Sequence, residues 1–204
     1  MDIRKNNEGL ILVVSAPSGA GKTTICKEFL KAAPNVRFSI SSTTRKPRRG
    51  EVHGNDYHFI SEEEFKESIA KDEFIEWEIN YGHIYGTSKK CIEELLERGH
   101  DILFDVDTRG AKNLKSLYPH AVFVFILPPS MADLKERLGK RGSEKGETLE
   151  ARLGKAMEEI GENKRYDYVI FNDMVKYSVD ILRSIYTAEK NRRIRLSDRI
   201  DNFV

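Results

Sequence analysis

The stretch Ser15-Ala-Pro-Ser-Gly-Ala-Gly-Lys-Thr-Thr24 holds the glycines and side chains that a polyphosphate needs. The pattern GxxxxGK[ST] is met at Gly21, Lys22 and Thr23, with Ala16 where the first glycine usually stands. Gly19 and Gly21 let successive backbone N–H groups turn inward around phosphate oxygens, and a following helix adds the positive end of its dipole. In such a loop the residues Ala16, Pro17, Ser18, Gly19, Ala20, Gly21, Lys22, Thr23 and Thr24 wrap the phosphates of a nucleoside triphosphate. Lys22 reaches the β- and γ-phosphates, and the Thr23 hydroxyl ligates Mg2+. Alanine at position 16 is tolerable wherever φ stays negative. The bland alternative, an ordinary strand–turn–helix, requires strand, GK[ST] and helix to fall into register by chance.

Two rival nucleotide readings fail on spacing. Asp107-Thr-Arg-Gly110 fits the DxxG of a GTPase switch, but the guanine-reading NKxD is absent. Asn163-Lys-Arg-Tyr166 lacks the aspartate, and Asp167 falls one residue late. A dinucleotide fingerprint at Gly19-Ala-Gly21 also fails, because Thr24 stands where the third glycine belongs.

Two further basic sets could meet anions. Arg45 and Arg48 flank Pro47 and can converge on one phosphate as bidentate forks, with Tyr57 and Tyr85 as neutral donors. Alone, Arg45–Arg49 has the bland alternative of a solvated charge run or an RNA-binding patch, and the tyrosines that of packing aromatics. Arg137 and Arg141 are four apart, so a helix presents them on one face. Surface pairing, such as Asp133 with Arg137, is the alternative there.

The elements that must position these groups can be read from the apolar pattern. Buried strands are expected at Leu10–Ser15, Asp101–Asp107, Ala121–Leu127 and Tyr168–Asn172, with a weaker one at Arg37–Ser42. Near-continuous apolar strands separated by helical stretches imply a parallel sheet covered on both faces. Helices are expected from Lys22 to Ala33, from a Ser61/Glu64 capping box to about Ala70, and from Ser88 to Arg98. Others span Met131–Lys140, Thr148 to about Ile160, and Tyr177–Lys190. Between Arg45 and Gly86, glycines and short mixed strands mark a small β-rich insertion. Gly139–Gly146 has the composition of a mobile surface loop.

Whole-chain composition bounds the function. With 204 residues, 34 basic and 33 acidic side chains, the chain suits one core with small appendages and is not a general nucleic-acid coat. Cys26 and Cys91 form no metal spacing, the five histidines are scattered, and a reducing cytoplasmic setting is the expectation. The apolar run Leu10–Val14 is shorter than a signal peptide requires, and Ala121–Leu127 cannot span a bilayer.

Longer blocks carry a resemblance. Phe38-Ser-Ile-Ser-Ser-Thr-Thr-Arg-Lys-Pro-Arg48 is followed by Gly50-Glu-Val-His-Gly-Asn-Asp-Tyr57, Phe74-Ile-Glu-Trp77 and Tyr85-Gly-Thr87. The Asp105–Asp107 strand end, Arg137-Leu-Gly-Lys-Arg-Gly142 and Val169-Ile-Phe-Asn-Asp173 come next. In this order, from Leu10 to about Arg193, they resemble the guanylate kinases, and the loop with its alanine is similar to the bacterial form.

The resemblance implies an α/β fold of the P-loop NTPase type: a parallel five-stranded sheet with helices on both faces, a β-rich GMP-binding insertion and a helical lid. It divides the chain into a core (1–36, 96–128 and 166–204), a GMP-binding part (37–95) and a lid (129–165). It implies ATP and GMP as substrates, with Mg2+ accompanying ATP. Arg45, Arg48, Tyr57 and Tyr85 would grip the GMP phosphate, while Ser41 and Thr87 would reach the base O6. Glu76 would accept from the guanine N1–H and amine, a donor pair that adenine lacks. Asp105 and Asp107 would form the acidic strand end near guanine and the metal, with Asp107 among the GMP-binding residues.

On the donor side, Asn172 matches an adenine contact. Lys22, Arg45, Arg137, Arg141 and Arg152 would be catalytic, with the lid arginines and Lys22 stabilising the transferring phosphoryl group. Arg109 departs from the family's usual glutamine. Neither nucleic acid nor membrane is an expected partner, and a homo-oligomer is left open. The same fold also serves non-catalytic binding modules, which typically lose the phosphate loop, and sugar-phosphate kinases, against which Glu76 and Thr87 argue.

Overall fold

A computed structural model of the chain describes residues 9–48, 50–80, 82–140 and 148–203. Five strands form the central sheet: β1 (Ile11–Ser15), β2 (Val36–Phe38), β7 (Asp101–Asp105), β8 (Val122–Leu127) and β9 (Tyr168–Phe171). Their order is β2-β7-β1-β8-β9, and every pairing is parallel. All five residues of β1 are buried, because helices cover both faces of the sheet. Period-two alternation then sorts the core. Leu12 and Val14 face α1 (Lys22–Ala32) and α7 (Val175–Lys190) together with Ile25, Phe29 and Leu182. Ile11 and Val13 face the other way, towards Ile92 of α3 (Lys89–Glu97) and Ala111 and Leu114 of α4 (Thr108–Leu117). Each such side chain withdrawn from water contributes roughly 1.5–3 kcal/mol.

The second sheet joins β3 (Ser42–Thr43), β4 (His58–Phe59), β5 (Phe74–Asn80) and β6 (His83–Ser88) in the order β4-β3-β6-β5. Helix α2 (Glu62–Ala70) opens on the expected capping box and lays Phe65 on Phe74, ring centroids 4.4 Å apart. A bulge between Phe74 and Glu76 shifts the β5–β6 register, and Phe74 and Ile75 are buried in different apolar clusters. Beyond it, Glu76 and Glu78 share one face of β5, while Trp77 and Ile79 lie exposed on the other.

Helices α5 (Met131–Lys140) and α6 (Leu149–Gly161) pack through Leu134, Leu138, Ala156 and Leu153. A short α8 (Ser197–Asp201) ends the described chain. No helix among the described residues is long and apolar enough to cross a membrane.

Two expectations need correction. The strand expected at Asp101–Asp107 stops at Asp105, because Asp107 caps α4: its Oδ1 accepts from the N–H groups of Arg109 and Gly110 at 3.0 and 2.8 Å. The apolar pattern does not mark that helix, although aspartate is a favoured N-cap residue. The strand expected at Arg37–Ser42 is two strands in different sheets. Val36–Phe38 pairs with β7, and Ser42–Thr43 pairs with β4 and β6.

Candidate active site

The phosphate-loop segment leaves β1 and ends where α1 begins. Gly19 and Gly21 have φ of +89° and +93°, the left-handed region that glycine enters without strain. Ala16 is buried and outside that region, so the missing glycine there costs the loop nothing. A Cβ on Gly19 would sit 3.0–3.3 Å from Leu134 and Leu138, so α5 lies directly against the loop. Lys22 Nζ is 2.7 Å from Asp105 Oδ1 at the end of β7 and also donates to the Val106 carbonyl. Thr23 and Thr24 stay exposed on the first turn of α1. The Ser18 N–H donates to Glu159 Oε2 of α6 at 3.1 Å, and burial pushes the Glu159 carboxyl above its usual range.

Residues from α5 and the end of β9 hold the far side of the loop. Asn172 Nδ2 donates to the Ala20 carbonyl at 2.7 Å, and Asn172 Oδ1 accepts from Ser178 Oγ at 3.0 Å. Arg137 donates to the carbonyls of Ala20 (3.4 Å) and Asn172 (3.2 Å). Arg152 donates to the Leu138 carbonyl at 3.0 Å, tying α6 to α5. Arg141 lies outside the described residues.

The second sheet gathers the other group. Arg45 grips Glu51 with both arms of its guanidinium, at 2.9 and 2.8 Å, and stands 5.4 Å over the Tyr57 ring. Glu51 also accepts from the Arg48 N–H at 2.7 Å, and Arg45 holds its carboxyl below the usual carboxylate range. Tyr57 and Tyr85 meet edge to face with centroids 6.0 Å apart, while the Arg48 side chain is exposed. Nearby, Thr87 Oγ1 donates to Glu76 Oε1 at 2.7 Å and lies 3.4 Å from Ser41 Oγ. Burial raises the Glu76 carboxyl, and the charge of Asp107 adds to the effect. Glu78 is pushed up to about 7 by burial and by Asp107, which shares a hydrogen bond with it.

Thus β5 of the second sheet packs on α4 and sets Glu76 and Glu78 beside Asp107, while Lys22 of the phosphate loop meets the nearby end of β7. The guanylate kinase family model matches residues 8–189. This chain belongs to the guanylate kinase family. The guanylate kinase of Syntrophus aciditrophicus (strain SB) is 51% identical over 192 residues, covering 94% of this chain and 92% of its own. That of Carboxydothermus hydrogenoformans is 48% identical over 194 residues, 95% of each chain. The crystal structure of guanylate kinase from Anaplasma phagocytophilum superposes with a TM-score of 0.75 at 34% identity, covering 93% of this chain and 90% of that one.

Within a guanylate kinase fold, several residues at the site were not singled out beforehand. Glu78 could have been found, since it is two residues from Glu76 on a strand and must share its face. Glu51 gives a weaker signal, lying three residues after Arg48. Glu159 gives none, because 141 positions separate it from Ser18.

The donor set can also be tested against Mg2+. Among the described residues no group of three or more His, Cys, Asp or Glu could hold a metal. Mg2+ beside a nucleotide instead takes one or two protein oxygens and fills its sphere with phosphate oxygens and waters. The exposed Thr23 hydroxyl at the loop's exit meets that requirement.

Proposed function

We propose that the chain transfers the γ-phosphoryl group of ATP to GMP, giving ADP and GDP. The observation that carries the acceptor assignment is the Glu76 carboxylate. One oxygen is held by Thr87, and the other lies 3.5 Å from where a Cβ on Gly110 would stand. A carboxylate fixed this way can accept from the N1–H and amine of guanine, whereas adenine would present an unprotonated ring nitrogen there. Asp107 Oδ1 is committed to the turn, which holds the residue beside that pocket. Arg45, Tyr57 and Tyr85 form one cluster that suits a dianionic phosphate, and the exposed Arg48 side chain would join it when the phosphate binds. We assign the second sheet to the acceptor and α5–α6 to the lid.

The nucleophile is an oxygen of the GMP phosphate, already ionised, so no general base is needed. The bond from that oxygen to Pγ forms as the bond from Pγ to the bridging oxygen breaks, and the electron pair leaves with ADP. Catalysis by the chain is positioning and charge stabilisation. Lys22, now on Asp105 and Val106, turns its ammonium towards the donor phosphates. Arg137 and Arg152, with Arg141, supply positive charge from the lid side. Arg45 and Arg48 align the attacking oxygen. Mg2+ held through Thr23 would neutralise charge on the donor phosphates. Lid helices packed over the loop exclude water that would otherwise hydrolyse ATP.

The deciding experiment is a steady-state assay of the full chain with Mg·ATP and either GMP or AMP. GMP should be phosphorylated far faster than AMP, and Glu76→Gln should narrow that preference. Equal rates with the two acceptors, or none with GMP, would overturn the assignment.

A further inference from the structure

The groups around Asn172 form a closed set. Its backbone N–H donates to the Leu127 carbonyl at 2.7 Å, fixing the residue to the end of β8. Its backbone carbonyl accepts from Arg137, its side-chain oxygen from Ser178 Oγ, and its side-chain nitrogen donates to the Ala20 carbonyl. The residue is 3% exposed and Ser178 is 1% exposed. Turning the amide over would set oxygen against the Ala20 carbonyl oxygen, so these two partners fix its orientation. Neither polar atom of the side chain is idle.

The Ala20–Gly21 peptide is the part of the phosphate loop that this amide holds. In a trans peptide the C=O and the next N–H point in opposite directions. Anchoring the Ala20 carbonyl outward, against Asn172, therefore turns the Gly21 N–H inward, where a phosphate oxygen would be met. The contact is close: a Cβ on Gly21 would lie 2.5 Å from Asn172 Nδ2. Glycine at 21 thus serves the positive φ and also leaves room for the amide.

We infer that Asn172, oriented by Ser178, is a positioning residue that locks the Ala20–Gly21 peptide in its phosphate-binding orientation. It acts on the donor through the loop and independently of the base. The inference rests on the reading that this loop holds the donor phosphates. An adenine contact by the same side chain would have to use the second hydrogen or lone pair of an amide that is 3% exposed, and the two roles differ in what they predict.

The test uses the full chain and its Asn172→Ala, Asn172→Asp and Ser178→Ala variants. It measures kcat and KM for ATP and for GTP as donor at fixed GMP, and calorimetric binding of Mg·ADP and Mg·GDP. A locked peptide predicts that Asn172→Ala lowers kcat/KM for ATP by about tenfold, the loss expected for one buried hydrogen bond. GTP should fall by the same factor, with KM for GMP unchanged. Asn172→Asp keeps the shape but presents oxygen to oxygen, so it should be at least as impaired, whereas mere space-filling predicts near-normal activity. Ser178→Ala should show a smaller loss, and none when added to Asn172→Ala.

An altered ATP-to-GTP ratio in Asn172→Ala would overturn the proposal in favour of adenine reading. Unchanged Mg·ADP affinity in Asn172→Asp would overturn it outright. If Asn172→Ala does not fold, Asn172→Asp and Ser178→Ala carry the same comparison. A parent chain that binds Mg·ADP yet phosphorylates no GMP would sink the phosphotransferase reading alone, because the binding measurement reads the loop by itself.

Discussion

Charge placement at single residues sets how the proposed acceptor pocket behaves. Glu78 lies beside Asp107 and Glu76, with Arg109 the cation that opposes their effect. The glutamine usual in the family at position 109 could not supply that charge. Because the folded-state carboxyl titrates near 7 and the unfolded one near 4.5, the folded chain binds the extra proton between those values. Its stabilising share is therefore complete below pH 4.5 and lost as pH rises through 7. Glu78→Gln keeps a hydrogen-bond donor towards Asp107 without the charge. It should raise the melting temperature at pH 8 by about 2–4 °C and change it little at pH 5. Equal shifts at both pH values would show that the carboxyl does not titrate there.

Glu51 differs, because its ion pair orients Arg45, which we assign to the acceptor phosphate. Glu51→Gln loses the bidentate grip on Arg45 and should raise KM for GMP by about tenfold with a smaller change in kcat. A lower KM would mean instead that Glu51 competes with the phosphate.

At the scale of elements, the β5–β6 pair frames the pocket we assign to the acceptor. Gly86 pairs with Trp77 and faces Phe65 of α2. A Cβ there would come 2.9 Å from the Glu76 carbonyl and from Phe65 Cζ. The first of these is backbone and cannot turn aside. Gly86→Ala should therefore cost about 1–3 kcal/mol of stability, as overpacking does, read from urea unfolding. Since Glu76 and Thr87 are paired across the same strands, KM for GMP should rise in parallel. Normal stability would place the backbones further apart than the structure has them. The bulge at Ile75 has the complementary effect: an inserted residue sends Ile75 into the main core and leaves Glu76 facing α4.

For the whole molecule, the groups we assign to the acceptor are split between the second sheet and the core. Arg45, Tyr57, Glu76 and Thr87 belong to the second sheet or its loops, whereas Asp107 and Gly110 belong to the core. GMP would bridge them, so binding should stabilise the fold as one unit. At a hundredfold excess over Kd the gain is about 2.7 kcal/mol, which should raise the melting temperature by about 5–11 °C. AMP at the same concentration should leave it nearly unchanged. The same shift with both nucleotides would deny Glu76 its role as base reader.

The sequence by itself determined the phosphate loop, four of the five core strands and the basic sets, because these depend on local spacing and on runs of apolar residues. Period and capping placed α1, α2, α5 and α6 to within a residue or two. Only the tertiary structure decided that Arg37–Ser42 divides between two sheets, that Asp107 caps a helix, and that Ile75 is a bulge. Pairing partners and register depend on residues far along the chain, which no local pattern encodes. The same reason covers the partners of the chemistry-bearing side chains. Lys22 meets Asp105, Ser18 meets Glu159, and Ala20 meets Asn172 across at least 83 positions, brought together by the parallel sheet's crossovers.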